Sequence, residues 1–327
     1  MTRGRGDAET RGRADPKTRG CCDLRVSASP RLLLSGWWRE AATKLAAAGI
    51  EPEEARLEAE VLLRHVLGFD RAGFLVRRAE DLPEDALARL LPLLERRLAR
   101  EPLAYIIGHK EFYGLDFLVD RRALIPRPET EGLVERVFAL VSAGGPFNRP
   151  GYTPAIVDVG TGSGCIAVAL AVHLPGARVW ATEVSEGALA LARESAGRRA
   201  VGERITFLQG DLLTPLTHQV DVIVSNPPYI AGEEIDSLPP EIARYEPRAA
   251  LDGGADGLAV IRRLLTQAPA HLKPGGAVLL EIGAGQGSEV ARLAQAALPA
   301  ATVVVQNDLA GLERYVTIYQ GTADDHR

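Results

Sequence analysis

The sequence is poor in the residues that hold metals and disulfides. Its 327 residues include three cysteines and six histidines. Cys21 and Cys22 are adjacent and badly placed to bridge each other, and no Cys-x-x-Cys or His-x-x-x-His pair occurs. These absences point to a metal-free protein of a reducing cytoplasm. No apolar run approaches the ~20 residues needed to cross a bilayer. An excess of basic residues is also missing: 38 Lys and Arg stand against 43 Asp and Glu, a net charge of −5. That balance weighs against a large nucleic-acid footprint. What remains is an ordinary globular composition, 46% hydrophobic and 25% charged, on a chain long enough for one large and one small domain.

The first stretch, MTRGRGDAETRGRADPKTRG, carries little to bury, and residues 1–34 are expected to be a disordered leader. Its acids Asp7, Glu9, Asp15 and Asp23 argue against a transit peptide. Residues 35–101 have helical periodicity, with Trp37, Ala41, Leu45 and Ala48 on one face and Gly49 closing that segment. Pro52 and three acids open a second helix that stops near Gly68, and a third starts near Pro83. Short connections imply a small bundle of mixed surface charge. His65, inside an apolar helix, fits a packed or half-exposed histidine better than a ligand. Residues 102–122 hold EFYGLDFLVD, whose alternation around Gly114 predicts a β-hairpin linking the bundle to the rest.

Residues 123–327 form the third segment. LIPRPETEGLVE leads into a helix starting near Pro128, and from Pro154 onward seven strand-like runs alternate with four helical ones. Such alternation gives a mainly parallel α/β sheet covered on both faces. The last two runs, ATVVVQN and YVTIYQ, are too close for a helical crossover, so the final strand should run antiparallel to its neighbour.

The first of these strands ends in Asp158-Val-Gly160-Thr161-Gly162-Ser163-Gly164, directly before a helix. Glycines there admit unusual backbone angles and let a ligand approach the helix N-terminus. The spacing is G-x-G-x-G, not the G-x-G-x-x-G of dinucleotide sites, and Cys165 stands where the third glycine of that pattern belongs. Cys165 itself reads as a small packing residue. Glu183 ends the second strand, about 20 residues on, where a carboxylate can accept from both ribose hydroxyls. Asp211 follows the third strand and can meet an adenine amino group. A surface or capping role for Glu183 is the competing explanation. Together the turn, Glu183 and Asp211 resemble the S-adenosylmethionine-dependent methyltransferases with a seven-stranded, Rossmann-like sheet. That resemblance implies that Asp158 lies near the cofactor's cationic methionine end.

The fourth strand runs into Asn226-Pro227-Pro228-Tyr229. An amide or aromatic amino nitrogen is a poor nucleophile because its lone pair is delocalised. Two acceptors, the Asn226 side-chain oxygen and the Pro227 carbonyl, can bind its two hydrogens and offset charge that develops on nitrogen. The prolines fix the turn and supply no N–H, and Pro227 holds Asn226 extended. Tyr229 offers a face for a planar group to stack on. A plain strand-ending turn is the bland alternative. No G-x-S-x-G nucleophile motif occurs.

Similar tetrapeptides serve enzymes that methylate exocyclic amines of adenine in DNA or RNA, which is the alternative function. EPLAYIIGHKEFYGLDFLVD, LIPRPETEGLVE, VSNPPYI with YEPRAALDGGADGL, and DLAGLERYV closely resemble the release-factor glutamine methyltransferases, over roughly residues 37–320. The resemblance implies methylation of the glutamine amide in the Gly-Gly-Gln loop of bacterial class I peptide-chain release factors, with the helical segment helping to hold the factor. It assigns Asp158, Gly160, Thr161, Gly162, Ser163, Gly164, Glu183, Asp211, Leu212 and Asn226 to the cofactor. It assigns Asn226, Pro227, Pro228 and Tyr229 to the glutamine. Leu212 is aliphatic where some relatives carry an aromatic residue, and Glu183 replaces the usual aspartate. Arg127 is open to two readings, a contact to the substrate backbone or a brace for the hairpin. A catalytically silent cofactor-binding module and a mitochondrial version are further alternatives, and a monomer is expected.

Overall fold

The computed structural model describes residues 32–142 and 144–321. Residues 1–31, with most of the expected leader, lie outside the described residues. The fold reaches further back than the boundary at residue 34 implied. Leu33 forms an isolated bridge with Asp81, the Leu82 N–H donates to the Leu32 carbonyl, and Leu34 is a buried helical residue.

The N-terminal helices are α1 (Leu34–Ala47), α2 (Pro52–Leu67), α3 (Arg71–Arg77), α4 (Glu84–Leu98) and α5 (Leu103–Ile107). Glu51 caps α2 by accepting from the Glu53 and Glu54 N–H groups, and Gly68 ends it in the left-handed conformation. Trp37, Leu45, Leu62, Leu63, Leu90 and Leu94 share one apolar core. Helices α3 and α5 were not expected: at seven and five residues they are too short to display a helical period. His65 is exposed, with its ring 6.3 Å from that of His109.

The hairpin consists of β1 (His109–Phe112) and β2 (Leu115–Leu118), joined at Tyr113 and Gly114. Both turn residues have positive φ, 52° and 72°, as a type I′ turn requires. Arg122 then binds Asp120 and Glu194, tying this connection to the sheet segment.

A short 3-10 turn, Pro128–Thr130, leads into α6 (Glu131–Val141). There follow β3 (Ala155–Val159), α7 (Cys165–His173), β4 (Arg178–Glu183), α8 (Glu186–Arg198), β5 (Ile205–Gln209) and β6 (Val220–Ser225). The chain ends with α9 (Pro240–Tyr245), α10 (Ala259–His271), β7 (Leu272–Glu281), α11 (Gly287–Ala297), β8 (Thr302–Asn307) and β9 (Glu313–Tyr319). The seven strands order as β5-β4-β3-β6-β7-β9-β8. All neighbours are parallel except β9, which lies antiparallel between β7 and β8.

Central strands β3 and β6 are buried along their whole length, so their sequences read as unbroken runs rather than alternating ones. Residues of α6, α7 and α8 pack on one face of the sheet, and residues of α10 and α11 pack on the other. The strand order reverses between β3 and β6, which puts the crevice of the sheet above their carboxyl ends.

The helical bundle is fastened to the segment just beyond the Asn-Pro-Pro-Tyr turn. Buried Arg97 donates to Glu58 and to Glu241 of α9, at 2.8 Å each, while Arg100 donates two bonds to Glu241. Tyr245 reaches back to the Ala99 carbonyl. Burial pushes the Glu58 carboxyl up, and Arg97 opposes the rise. Removing Arg97 would leave the buried Glu58 carboxylate without its cation, while Glu241 keeps Arg100. Arg97→Met should therefore lower the unfolding free energy in urea by about 3–5 kcal/mol. A loss below about 1 kcal/mol, the scale of an exposed pair, would show that the cluster is not a buried clamp.

Candidate active site

A cavity of about 410 Å³ opens at the β3–β6 crevice. One wall is the turn after β3, where Gly160, Gly162 and Gly164 have φ of 71°, 57° and 83°. Gly164 has a second constraint, because a Cβ there would come within 3.0 Å of the Ala192 Cβ on α8. Glu183 closes the turn from the side: one carboxylate oxygen accepts from the Gly162 N–H at 3.0 Å, the other from the Ser185 N–H at 2.9 Å. It lines the cavity and keeps lone pairs for a ligand.

Thr161 and Ser163 line the cavity too, but Asp158 and Gly164 lie behind its wall. Asp158 is 1% exposed; one of its oxygens accepts from the Thr161 hydroxyl and the Ala167 N–H. The other oxygen has no hydrogen-bond partner among the described residues. An unpaired carboxylate oxygen behind a glycine turn suits a nearby cation, and a carboxylate on the next strand suits vicinal hydroxyls. The donor set therefore fits S-adenosylmethionine.

The third wall holds Asp211 and Leu212. Asp211 is paired with Arg263 of α10, and Leu212 has a positive φ of 51°. Arg263 lines the cavity with them and was not foreseen.

Facing the glycine turn is Asn226-Pro227-Pro228. The Ser225 hydroxyl donates to the Val159 carbonyl at 2.7 Å and locks the two strand ends together. The Asn226 amide nitrogen donates to the Thr130 hydroxyl at 3.0 Å. Neither its side-chain oxygen nor the Pro227 carbonyl accepts a hydrogen bond among the described residues. Beyond the turn the chain is held by a bridge between Ile230 and Asp252, and Gly257 is needed because a Cβ would meet the Tyr229 carbonyl at 2.4 Å.

Tyr229 departs from the expectation. It is absent from the cavity lining, and its hydroxyl instead donates to Glu281 at 3.3 Å. Gln286 holds its carbonyl. Arg127 lines the cavity and is also bonded to buried Glu246, whose other oxygen accepts from the Ile125 N–H. The bracing geometry is therefore present, on the loop after α9 rather than on the hairpin. Cys165 is packed in the core at the first turn of α7, and burial pushes its thiol up to about 12.

Thr130 and Glu281 were not singled out from the sequence, yet they join Asn226 to Tyr229. A signal existed for each: Thr130 sits inside the IPRPETE run, and Glu281 is an acid ending the apolar strand AVLLE.

Comparison with known proteins places the chain in a family. Residues 36–108 match the PrmC N-terminal domain family, and residues 148–242 match the methyltransferase small domain. The release factor glutamine methyltransferase of Geobacter sulfurreducens is 48% identical over 73% of this chain and 80% of that protein. The chain belongs to the release factor glutamine methyltransferase family. A second member, from Cereibacter sphaeroides, is 44% identical over 85% of this chain and 95% of its own length. A solved member of the family, the protein-(glutamine-N5) methyltransferase (release factor-specific) from Alicyclobacillus acidocaldarius, is 33% identical. That match covers 63% of this chain and 99% of the other at a TM-score of 0.38. Among the described residues no helix is long and apolar enough to cross a membrane.

Burial pushes the Asp158 carboxyl up to about 7 from an ordinary 3.8, against the bonds from Thr161 and Ala167. The folded protein therefore holds a proton that the unfolded chain releases. That contribution to stability is complete below the ordinary value and is lost as pH rises through about 7. Relative to Asp158→Asn, the wild type should lose unfolding free energy between about pH 4 and pH 7 in urea titrations. A difference between the two proteins that is flat in pH would contradict the buried-acid assignment.

Proposed function

We propose that this chain transfers a methyl group from S-adenosylmethionine to the side-chain amide nitrogen of the glutamine in the Gly-Gly-Gln loop of class I release factors. The observation that carries the reading is the pair of free acceptors, the Asn226 Oδ1 and the Pro227 carbonyl, set across the cavity from the glycine turn. S-adenosylmethionine supplies an electrophilic methyl group on a cationic sulfur. Gly160, Thr161, Gly162 and Ser163 would hold it along the turn, with Glu183 on the ribose, Asp211 and Leu212 at the adenine, and Asp158 behind the cationic end.

The chain's own residues then do the orienting. Two acceptors fix both hydrogens of a primary amide, which aims the nitrogen face away from them and offsets the positive charge that grows there. The Pro227 ring keeps its peptide from supplying an N–H where only acceptors are wanted. No general base is required, because the nitrogen becomes acidic once it is methylated. Pro126, Pro228, Pro247, Ala249 and Ala250 line the approach with small or rigid apolar groups, suited to a loop of glycines. Arg127 at the rim is within the cavity lining and would also contact the substrate backbone.

We assign substrate recognition to residues 35–101, linkage to 102–122 and catalysis to 123–327. The bundle's clamp on α9 would couple the first role to the third. A cytoplasmic monomer is the form in which release factors would be met.

Transfer of labelled methyl to a purified class I release factor tests the reading, beside a factor whose Gly-Gly-Gln glutamine is alanine and a DNA control. Label on the intact factor alone is the expected result. Label on DNA, or equal label on both factors, would overturn the substrate.

A further inference from the structure

An asparagine side chain can present either its oxygen or its NH2 group, and only the oxygen can accept from a substrate amide. Something must choose. The Asn226 amide nitrogen is 3.0 Å from the Thr130 Oγ1, and that hydroxyl lies 2.7 Å from the Glu281 Oε2. Thr130 is 2% exposed and Glu281 1%, so water does not compete for these bonds. A hydroxyl has one hydrogen. Given to the Glu281 carboxylate, it leaves the Thr130 oxygen able only to accept, and so Asn226 must turn its NH2 group toward Thr130. Its oxygen then faces the cavity.

We propose that Glu281 and Thr130 are positioning residues that fix the Asn226 amide with its oxygen toward the substrate. The inference rests on the methyl-transfer reading above. The carboxylate accepts at both ends, from Thr130 through one oxygen and from Tyr229 through the other at 3.3 Å. Asn226 and Tyr229, at the two ends of the motif, are thus held by one buried acid on β7.

The arrangement depends on Glu281 being ionised. Burial pushes its carboxyl up to about 7, with Thr130, Arg314 and Tyr229 lowering it and Glu129 raising it; Tyr315 of β9 and Cys165 of α7 are also coupled to it. When protonated, Glu281 donates to Thr130, whose hydrogen is then free to seek the Asn226 oxygen and reverse the amide. Activity should therefore fall as pH drops through about 7.

The test is steady-state methyl transfer to a class I release factor by wild type, Thr130→Ser, Thr130→Val and Glu281→Gln, with S-adenosylmethionine affinity measured alongside. Thr130→Ser keeps the hydroxyl and should retain kcat within about threefold. Thr130→Val should lose about 10²-fold in kcat, the scale for one misplaced donor or acceptor, with cofactor affinity unchanged. Glu281→Gln should lose kcat. Equal kcat for the valine and serine variants, or wild-type kcat in Glu281→Gln, would overturn the proposal. A wild type that is inactive on the factor would instead overturn the methyl-transfer reading.

Discussion

Parallel pairing of β3 with β6, from Ile156 against Val222 to Asp158 against Val224, is the constraint on which the site depends. It brings residues 158–164 and 226–229 to one edge of the sheet although more than sixty positions separate them in the chain. The Ser225–Val159 hydrogen bond fixes the two strand ends at the level where the chemistry happens. Both strands are buried from end to end, so their relative height cannot drift without exposing core side chains.

A second theme is acid buried at strand ends. Asp158 is the last residue but one of β3, Glu183 ends β4 and Glu281 ends β7, and all three are 9% exposed or less. Each is held by short-range donors rather than by an adjacent cation: Thr161 and Ala167, Gly162 and Ser185, Thr130 and Tyr229. Burying charge in this way costs stability unless a ligand or a network repays it, which is the signature of a functional site rather than a structural one. Arg97, by contrast, sits between two carboxylates and fastens the bundle to α9.

Much of this was legible in the chain. The seven strands, the antiparallel last one, the hairpin around Gly114 and the cavity walls at Gly160–Gly162, Glu183 and Asn226 follow from periodicity and turn chemistry. Tyr229 was placed on the cavity by its sequence neighbourhood, but its side chain is claimed by Glu281, a residue 52 positions away. The insertion of β9 between β7 and β8 was equally hidden, since close spacing predicts antiparallel pairing with β8 but not what lies on the other side. Helices α3 and α5 form because the bundle and the hairpin give their apolar side chains somewhere to pack, not because their own sequence has a period.

The central claim is that Asn226 works by offering an acceptor. Single-turnover methyl transfer to a class I release factor by Asn226→Ala, at saturating cofactor, tests it most directly. Alanine removes the acceptor and should lose about 10²-fold or more in rate. Transfer by the alanine variant at the wild-type rate would contradict the account.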